Sequence, residues 1–415
     1  MYSQRVRVLI GLILFGLAIT PSTSQAQNPA DNNTWQIWLF NTASDHLVGM
    51  SPAGIIEDID LVDFTGFESK LIQRPFRSPD GHTLAFEVRL TPDNISSGSA
   101  GIYLANLETQ DCCHQLTDPE NPEFDGFHRG PFSPDGTQLV VSMWATGVDI
   151  TPIVAVFDLT SGDILHRLPL DELNFQPFLE NERYEAAVFN EWSADGIRIG
   201  GSCTNCPASL IFFDHTQIWN PETDELSGSV TVVTDPNSVL ATGELIITTF
   251  DEDLPGGDQP PIGIGEGVGT IFPNNIVRYY TDHTRSTSEV IFNRPEPPMI
   301  QSAHWVVNGE YVLAFYDYVP QSSDLRRAML LDRDGGQQML EFFFDDEFLA
   351  PTPDGWLMCH YDGEQTHILH HQSIDGSYIP NSIATFDGRI ACFEFEIAGQ
   401  NFVLGEGLDA PAFAP

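Results

Sequence analysis

The segment "CHYDGEQTHILHHQ", residues 359–372, holds the chain's densest collection of metal-type ligands: His360, Asp362, His367, His370 and His371. If residues 366–371 run as a strand, His367 and His371 share a face, and His360 on a partner strand can join them. Three imidazoles on adjacent strands make a ligand set for zinc or manganese. Against this, histidines in outer strands commonly just meet solvent, so the set His360, His367, His371 stands as a candidate and no more. Oxygen ligands for calcium are offered by Asp251, Glu252 and Asp253 with Asp258, and by Glu57 and Asp58 with Asp60 and Asp63. Neither group has the spacing of a helix-flanked calcium loop, which favours solvated surface turns. The expectation is a protein without a resident cofactor, with calcium and zinc or manganese as the ions to test.

Six cysteines fall into three kinds. Cys203 and Cys206, in "GGSCTNCPAS", suit a local disulfide or redox-labile pair better than a metal clip, because no second pair with zinc spacing exists. Cys112 and Cys113 are adjacent at the start of a strand, where consecutive side chains point apart, so they are not expected to bond to one another without strain. Cys359 and Cys392 each fall four residues after a turn glycine, where other copies of the unit described next carry Ala85, Val140, Gly200, Ile247 and Leu313. That position argues for buried small apolar side chains, although adjoining units would bring the two within reach.

What must position these residues is a repeated unit. Ser78-Pro79-Asp80-Gly81, Ser133-Pro134-Asp135-Gly136, Ser193-Ala194-Asp195-Gly196 and Thr352-Pro353-Asp354-Gly355 each precede a run of strand-forming residues. Weaker copies are Thr242-Gly243, Asn308-Gly309 and Asp387-Gly388. Proline presets φ, aspartate suits the next position and glycine accepts the left-handed geometry, so each copy reads as a hairpin turn. Between the copies lie second hairpins, among them 35–48, 102–117, 153–165 and 366–379. Two hairpins per unit make a four-stranded antiparallel blade, and the whole reads as an all-β propeller. Seven blades fit best, and six or eight fit if weak copies are misread. An outer hairpin at 35–49 and an inner one at 383–396 would close the ring together.

Arg5 and Arg7 ahead of the apolar run Val8 to Ile19, followed by Ser24-Gln25-Ala26, read as a secretory signal peptide. The expected organisation is a leader at 1–26, a linker at 27–34, one propeller at 35–400 and a tail at 401–415, with export to the periplasm or the extracellular space and no membrane insertion. The net charge of −42, from 59 acidic and 17 basic residues, repels nucleic acid and anionic lipid.

The turn-plus-strand unit and hairpins such as "GIYLANLETQDCCHQLT" resemble the TolB-type, WD-repeat-like β-propeller repeat family over most of residues 35–396. The resemblance implies the propeller fold and leaves function open. We expect a non-enzymatic scaffold that binds a protein or peptide partner through its loops or axial face. Segments 119–130 ("PENPEFDGFHRG"), 171–190 and 253–275 depart most from the repeat, and Phe124, Phe127, His128 and Arg129 are the binding candidates. The competing expectation is a metal-dependent saccharide lyase or hydrolase, since some related propellers resemble oligogalacturonate lyases. Its anionic substrate would call on Arg74, Arg77, His128 and Arg129, the basic residues nearest the inner ends of blades.

Overall fold

The computed structural model describes residues 35–89, 101–117, 123–145, 151–173, 184–193, 196–203, 216–230, 240, 245–249, 275–279, 289–293, 300–316, 325–333, 336–343, 346–374 and 376–405. In chain order the strands begin with β1 (Ile37–Asn41), β2 (His46–Ser51), β3 (Gly54–Asp60), β4 (Ile72–Arg77), β5 (Thr83–Val88), β6 (Gly101–Asn106) and β7 (Asp111–Gln115). There follow β8 (Gly126–Phe132), β9 (Gln138–Trp144), β10 (Ile153–Asp158), β11 (Ile164–Pro169), β12 (Tyr184–Ser193), β13 (Gly196–Cys203), β14 (Thr216–Asn220) and β15 (Glu225–Val230). The rest are β16 (Leu245–Thr249), β17 (Asn275–Tyr279), β18 (Glu289–Asn293), β19 (Ile300–Val306), β20 (Tyr311–Tyr316), β21 (Leu325–Asp332) and β22 (Gln337–Phe343). The last sheet uses β23 (Glu347–Thr352), β24 (Gly355–Tyr361), β25 (Gln365–Ile374) and β26 (Ser377–Asp387), and the chain ends in β27 (Phe395–Gln400).

Six sheets are antiparallel meanders of consecutive strands, the seventh adds β27 to β1–β3, and the molecule is a β-propeller. Among the described residues six sheets have four strands and one, β16-β17-β18, has three. In the second and third sheets the tight turn joins the first strand to the second. In the third sheet the Gly136 N–H donates to the Ser133 carbonyl at 2.8 Å, and Gly136 takes φ +73°. The Ser133 hydroxyl donates to Asp135 at 2.6 Å and accepts from the Gln138 N–H at 2.9 Å, so the turn closes on its own side chains. The second sheet repeats this, with Ser78 accepting from Thr83 N–H at 2.9 Å and Asp80 accepting from His82 N–H at 3.0 Å.

Strands that are apolar on both faces feed two cores at once. In β9, Leu139 and Val141 pack with Ala85 and Ile102 of the second sheet, while Val140 packs with Ile197 and Trp219 of the fourth. Trp38 and Phe40 meet Leu84 and Phe86 between the first two sheets, and Leu313 and Phe315 meet Trp356 and Met358 between the last two. Only strands sandwiched between neighbouring sheets need this double burial.

The two ends of the chain share one sheet, ordered β27-β1-β2-β3, with Ile37 opposite Gln400 and Asn41 opposite Phe395. The joint differs from the expected pair of hairpins. β26 runs as one eleven-residue strand along β25 to Asp387, and residues 389–391 form no strand. The Gly388 N–H donates to Glu364 O, the Ile390 N–H donates to the Thr366 hydroxyl, and a 3-10 turn at Cys392–Glu394 leads into the single strand β27. Asp387-Gly388 is thus the passage from an outer edge to the next inner edge. Past β27, Phe402 and Leu404 are buried with Trp35 and Leu240, so packing continues into the segment expected to be a tail.

Candidate functional site

The three candidate metal ligands do not converge. In the β24–β25 register His360 lies opposite His367, and their ring centroids are 6.3 Å apart. His371 lies opposite Trp356, four residues further along β25, roughly 13 Å from His367 at strand spacing. Its ring stacks on Trp356 at 5.4 Å. His360 Nδ1 is 2.6 Å from Asp346, and His367 Nε2 is 3.0 Å from Asp362. In the Glu57 group Asp58 lies 2.7 Å from His46 and Asp60 caps the helix α1 (Leu61–Thr65). Among the described residues no three or more histidine, cysteine or carboxylate side chains form a metal set. The Asp251 group and Cys206 lie outside the described residues, as do 119–122, 174–183 and 253–274.

Two further cysteine expectations change. Cys359 of β24 and Cys392 are disulfide-bonded, with Cα atoms 5.5 Å apart, so their shared repeat position conceals a pairing. Cys112 and Cys113 are paired with each other across a cis peptide bond.

The stretch expected as a binding loop is largely an inner strand. Residues 126–130 belong to β8, the first strand of the third sheet. Phe124 and Phe127 are buried in the core between the second and third sheets, 6% and 0% exposed, so they are packing residues and not ligand contacts. His128 and Arg129 of the same strand are only half-buried.

Those two residues meet Arg74 of β4, and together they form a polar cluster at the inner strands. Arg74 Nη1 lies 3.1 Å from His128 Nδ1. The Arg129 guanidinium donates through Nε to the Arg74 carbonyl at 2.9 Å and through Nη1 to the Gly130 carbonyl at 2.7 Å. Its central carbon stands 4.9 Å from the Phe76 ring centroid, a cation–π contact that fixes its plane. Beneath them Glu87 of β5, 3% exposed, accepts the Arg129 backbone N–H at 2.8 Å. It stands 3.5 Å from His128 Nδ1 and 3.8 Å from Arg74 Nη1. His128 leans on Trp144 of β9, with ring centroids 4.7 Å apart.

The charges act on one another. Burial alone would raise the Glu87 carboxyl, but the His128 hydrogen bond, the Arg74 charge and the Arg129 N–H hold it below its ordinary value. Burial pushes the Arg129 guanidinium down to about 10, helped by the like charge of Arg74, and it stays cationic at neutral pH. Glu396, brought in by β27, is raised by burial and by Glu87 against the pull of Arg74, Arg129 and Arg89. β27, β4 and β8 are the first strands of three consecutive sheets, with β27 against β4 and β8 against β5, so the cluster sits where three inner edges meet.

Arg77, named beside these cations from the sequence, goes elsewhere: it stacks 3.8 Å over Trp38 and donates to the Gly81 carbonyl at 2.6 Å. Glu87 went unremarked, yet a charge inside the otherwise apolar strand "TLAFEV" is a readable break in pattern. Nothing local to "FEIAGQ" marks Glu396. As a whole the cluster can bind and orient an anionic group, with two arginines, a histidine and a tryptophan wall held by a buried carboxylate.

No family model matches the chain, and no curated protein matches it. Solved structures of similar fold include TolB from Acinetobacter baumannii, at 14% identity over 75% of this chain with a TM-score of 0.38. The chain covers 64% of that TolB. Others are uncharacterized protein lmo1340 from Listeria monocytogenes EGD-e, 12% identical, covering 77% of this chain and 84% of that one, TM-score 0.45, and an oligogalacturonate lyase in complex with manganese, 14% identical, covering 83% and 80%, TM-score 0.40. Similarity at this level concerns fold and leaves both a binding scaffold and an enzyme open.

Proposed function

We propose that this chain is an exported, non-enzymatic β-propeller that binds a protein or peptide partner on its axial face, at the Arg74–His128–Arg129 cluster. The observation that carries the reading is Arg74 itself: its side chain is 52% exposed while its neighbours are pinned by a buried glutamate at the meeting of three inner strands. In a chain of net charge −42, concentrated cations at one inner edge oppose the overall field and favour recognition there. The leader-like residues 1–26 support export, and no helix among the described residues is long and apolar enough to cross a membrane. A saccharide lyase or hydrolase would use the same cations for an anionic sugar, but its metal step finds no support in His360, His367 and His371, because His371 stands apart from the other two.

Site-directed photocrosslinking tests the reading. A photoreactive residue at His128 should capture a partner from envelope extract, and Arg74→Ala in the same chain should remove the adduct. The same residue at Met339, exposed on the outer strand β22, serves as the control. Equal adducts at both positions, or adducts only at Met339, would overturn the axial assignment.

A further inference from the structure

The cluster also specifies what chemical group it takes. Resting on the axial-binding reading above, we propose that the recognised group is a carboxylate, gripped by the Arg74 guanidinium with His128 beside it and Trp144 as a flat wall.

Three observations carry this. Two guanidinium groups, from Arg74 and Arg129, act on both Glu87 and Glu396, and a third, from Arg89, acts on Glu396, so the guanidinium groups outnumber these two carboxylates. Arg129 has spent Nε and Nη1 on carbonyls, whereas Arg74 engages the described residues only through Nη1, leaving Nε and Nη2 for a ligand. Those two nitrogens are a planar fork that matches the two oxygens of a carboxylate. Finally, Arg74 holds φ +47° at the bulge between Gln73 and Phe76. Pro75 follows it and disfavours the right-handed helical alternative. A long, non-glycine residue in the left-handed region is uncommon and costly, and such costs concentrate where a side chain must be aimed.

The charge count also separates anions. A carboxylate brings one negative charge, while a phosphate dianion brings a second one beside Glu87 and Glu396 in a strongly negative molecule. A peptide C-terminus and a uronic acid share the carboxylate, and the test distinguishes them.

The full mature chain, labelled at histidine, is titrated with N-acetylglycine, its amide, glucuronate, glucose and inorganic phosphate while the His128 imidazole signals are followed. Comparison with a His128→Gln variant assigns those signals among the 12 histidines. Both free acids should shift them saturably, the amide and glucose should not, and the tighter acid names the source. Arg74→Gln should weaken the response about ten-fold or more, and Arg74→Lys, which keeps the charge and loses the fork, should weaken it as well. Phosphate binding more tightly than either acid, or amide and acid acting alike, would overturn the carboxylate assignment. No shift with any probe while crosslinking at position 128 persists would also overturn it, but would leave the axial partner site standing; loss of both would remove both.

Discussion

His371 shows what a single buried ring costs. It is 7% exposed, its Nε2 has no hydrogen-bond partner among the described residues, and burial followed by the neighbouring His370 holds its pKa at about 4. The sign follows from linkage: between about 4 and the ordinary value of 6.5 the unfolded chain binds a proton that the folded chain refuses, so stability falls as pH falls through that window. The full effect is about 3 kcal/mol. Replacing His371 by Phe, which can still stack on Trp356, should flatten this part of the acid-stability curve, checked by urea titrations across pH 4 to about 7. The same loss in variant and parent would assign the acid sensitivity to carboxylates such as Asp354. That aspartate also shows how far a residue can be read locally. Asp135 and Asp354 fill the same turn position, yet Asp135 is exposed and bonds within its own turn. Asp354 is buried, takes the Trp35 indole N–H at 2.8 Å and lies 3.1 Å from His370 Nε2. Turn chemistry was legible from four residues; the partner 319 positions away was not.

At the scale of elements, the joint between β26 and β27 stands out. The Cys359–Cys392 bond ties β24 to the turn that launches β27, the strand that pairs with β1 and carries Glu396. Its 33-residue separation gives about 3–4 kcal/mol of chain-entropy stabilisation. A Cys359→Ser, Cys392→Ser double variant should lose stability on that order in denaturant titration. Amide exchange should show the β1–β27 pairs opening first. Uniform loss of protection would mean that the bond supports the whole ring and not this joint. The second hairpins were legible because period and turn residues agree, and 102–117, 153–165 and 366–379 all form. Residues 389–392 look equally like a strand, but β26 already occupies the edge of β25, so the chain must leave that sheet. A strand needs a free neighbour, and local pattern does not say which edges are taken. A different reason turned 126–130 from expected loop to β8: its Gly and His mask an apolar face formed by Phe127 and Phe132.

For the molecule as a whole, self-repulsion at net charge −42 acts against compaction. Raising ionic strength from low values to about 0.15 M should raise the melting temperature by on the order of 2 °C or more, measured by calorimetry, because screening at a Debye length of about 8 Å reaches most surface pairs. A fall would mean that favourable ion pairs outweigh the repulsion. The sequence by itself determined the propeller: the turn, the doubly apolar strands and their spacing are local features, repeated, and each repeat forms the same element for the same reason. Only the tertiary structure decided that Arg74, Glu87, His128, Arg129 and Glu396 form one cluster, that Cys359 bonds Cys392, and that His371 stands apart from His367. Those juxtapositions join residues up to 322 positions apart (Arg74 to Glu396), and they depend on which strand of one sheet faces which strand of the next. No local propensity encodes that choice, because it is made by the packing of whole sheets.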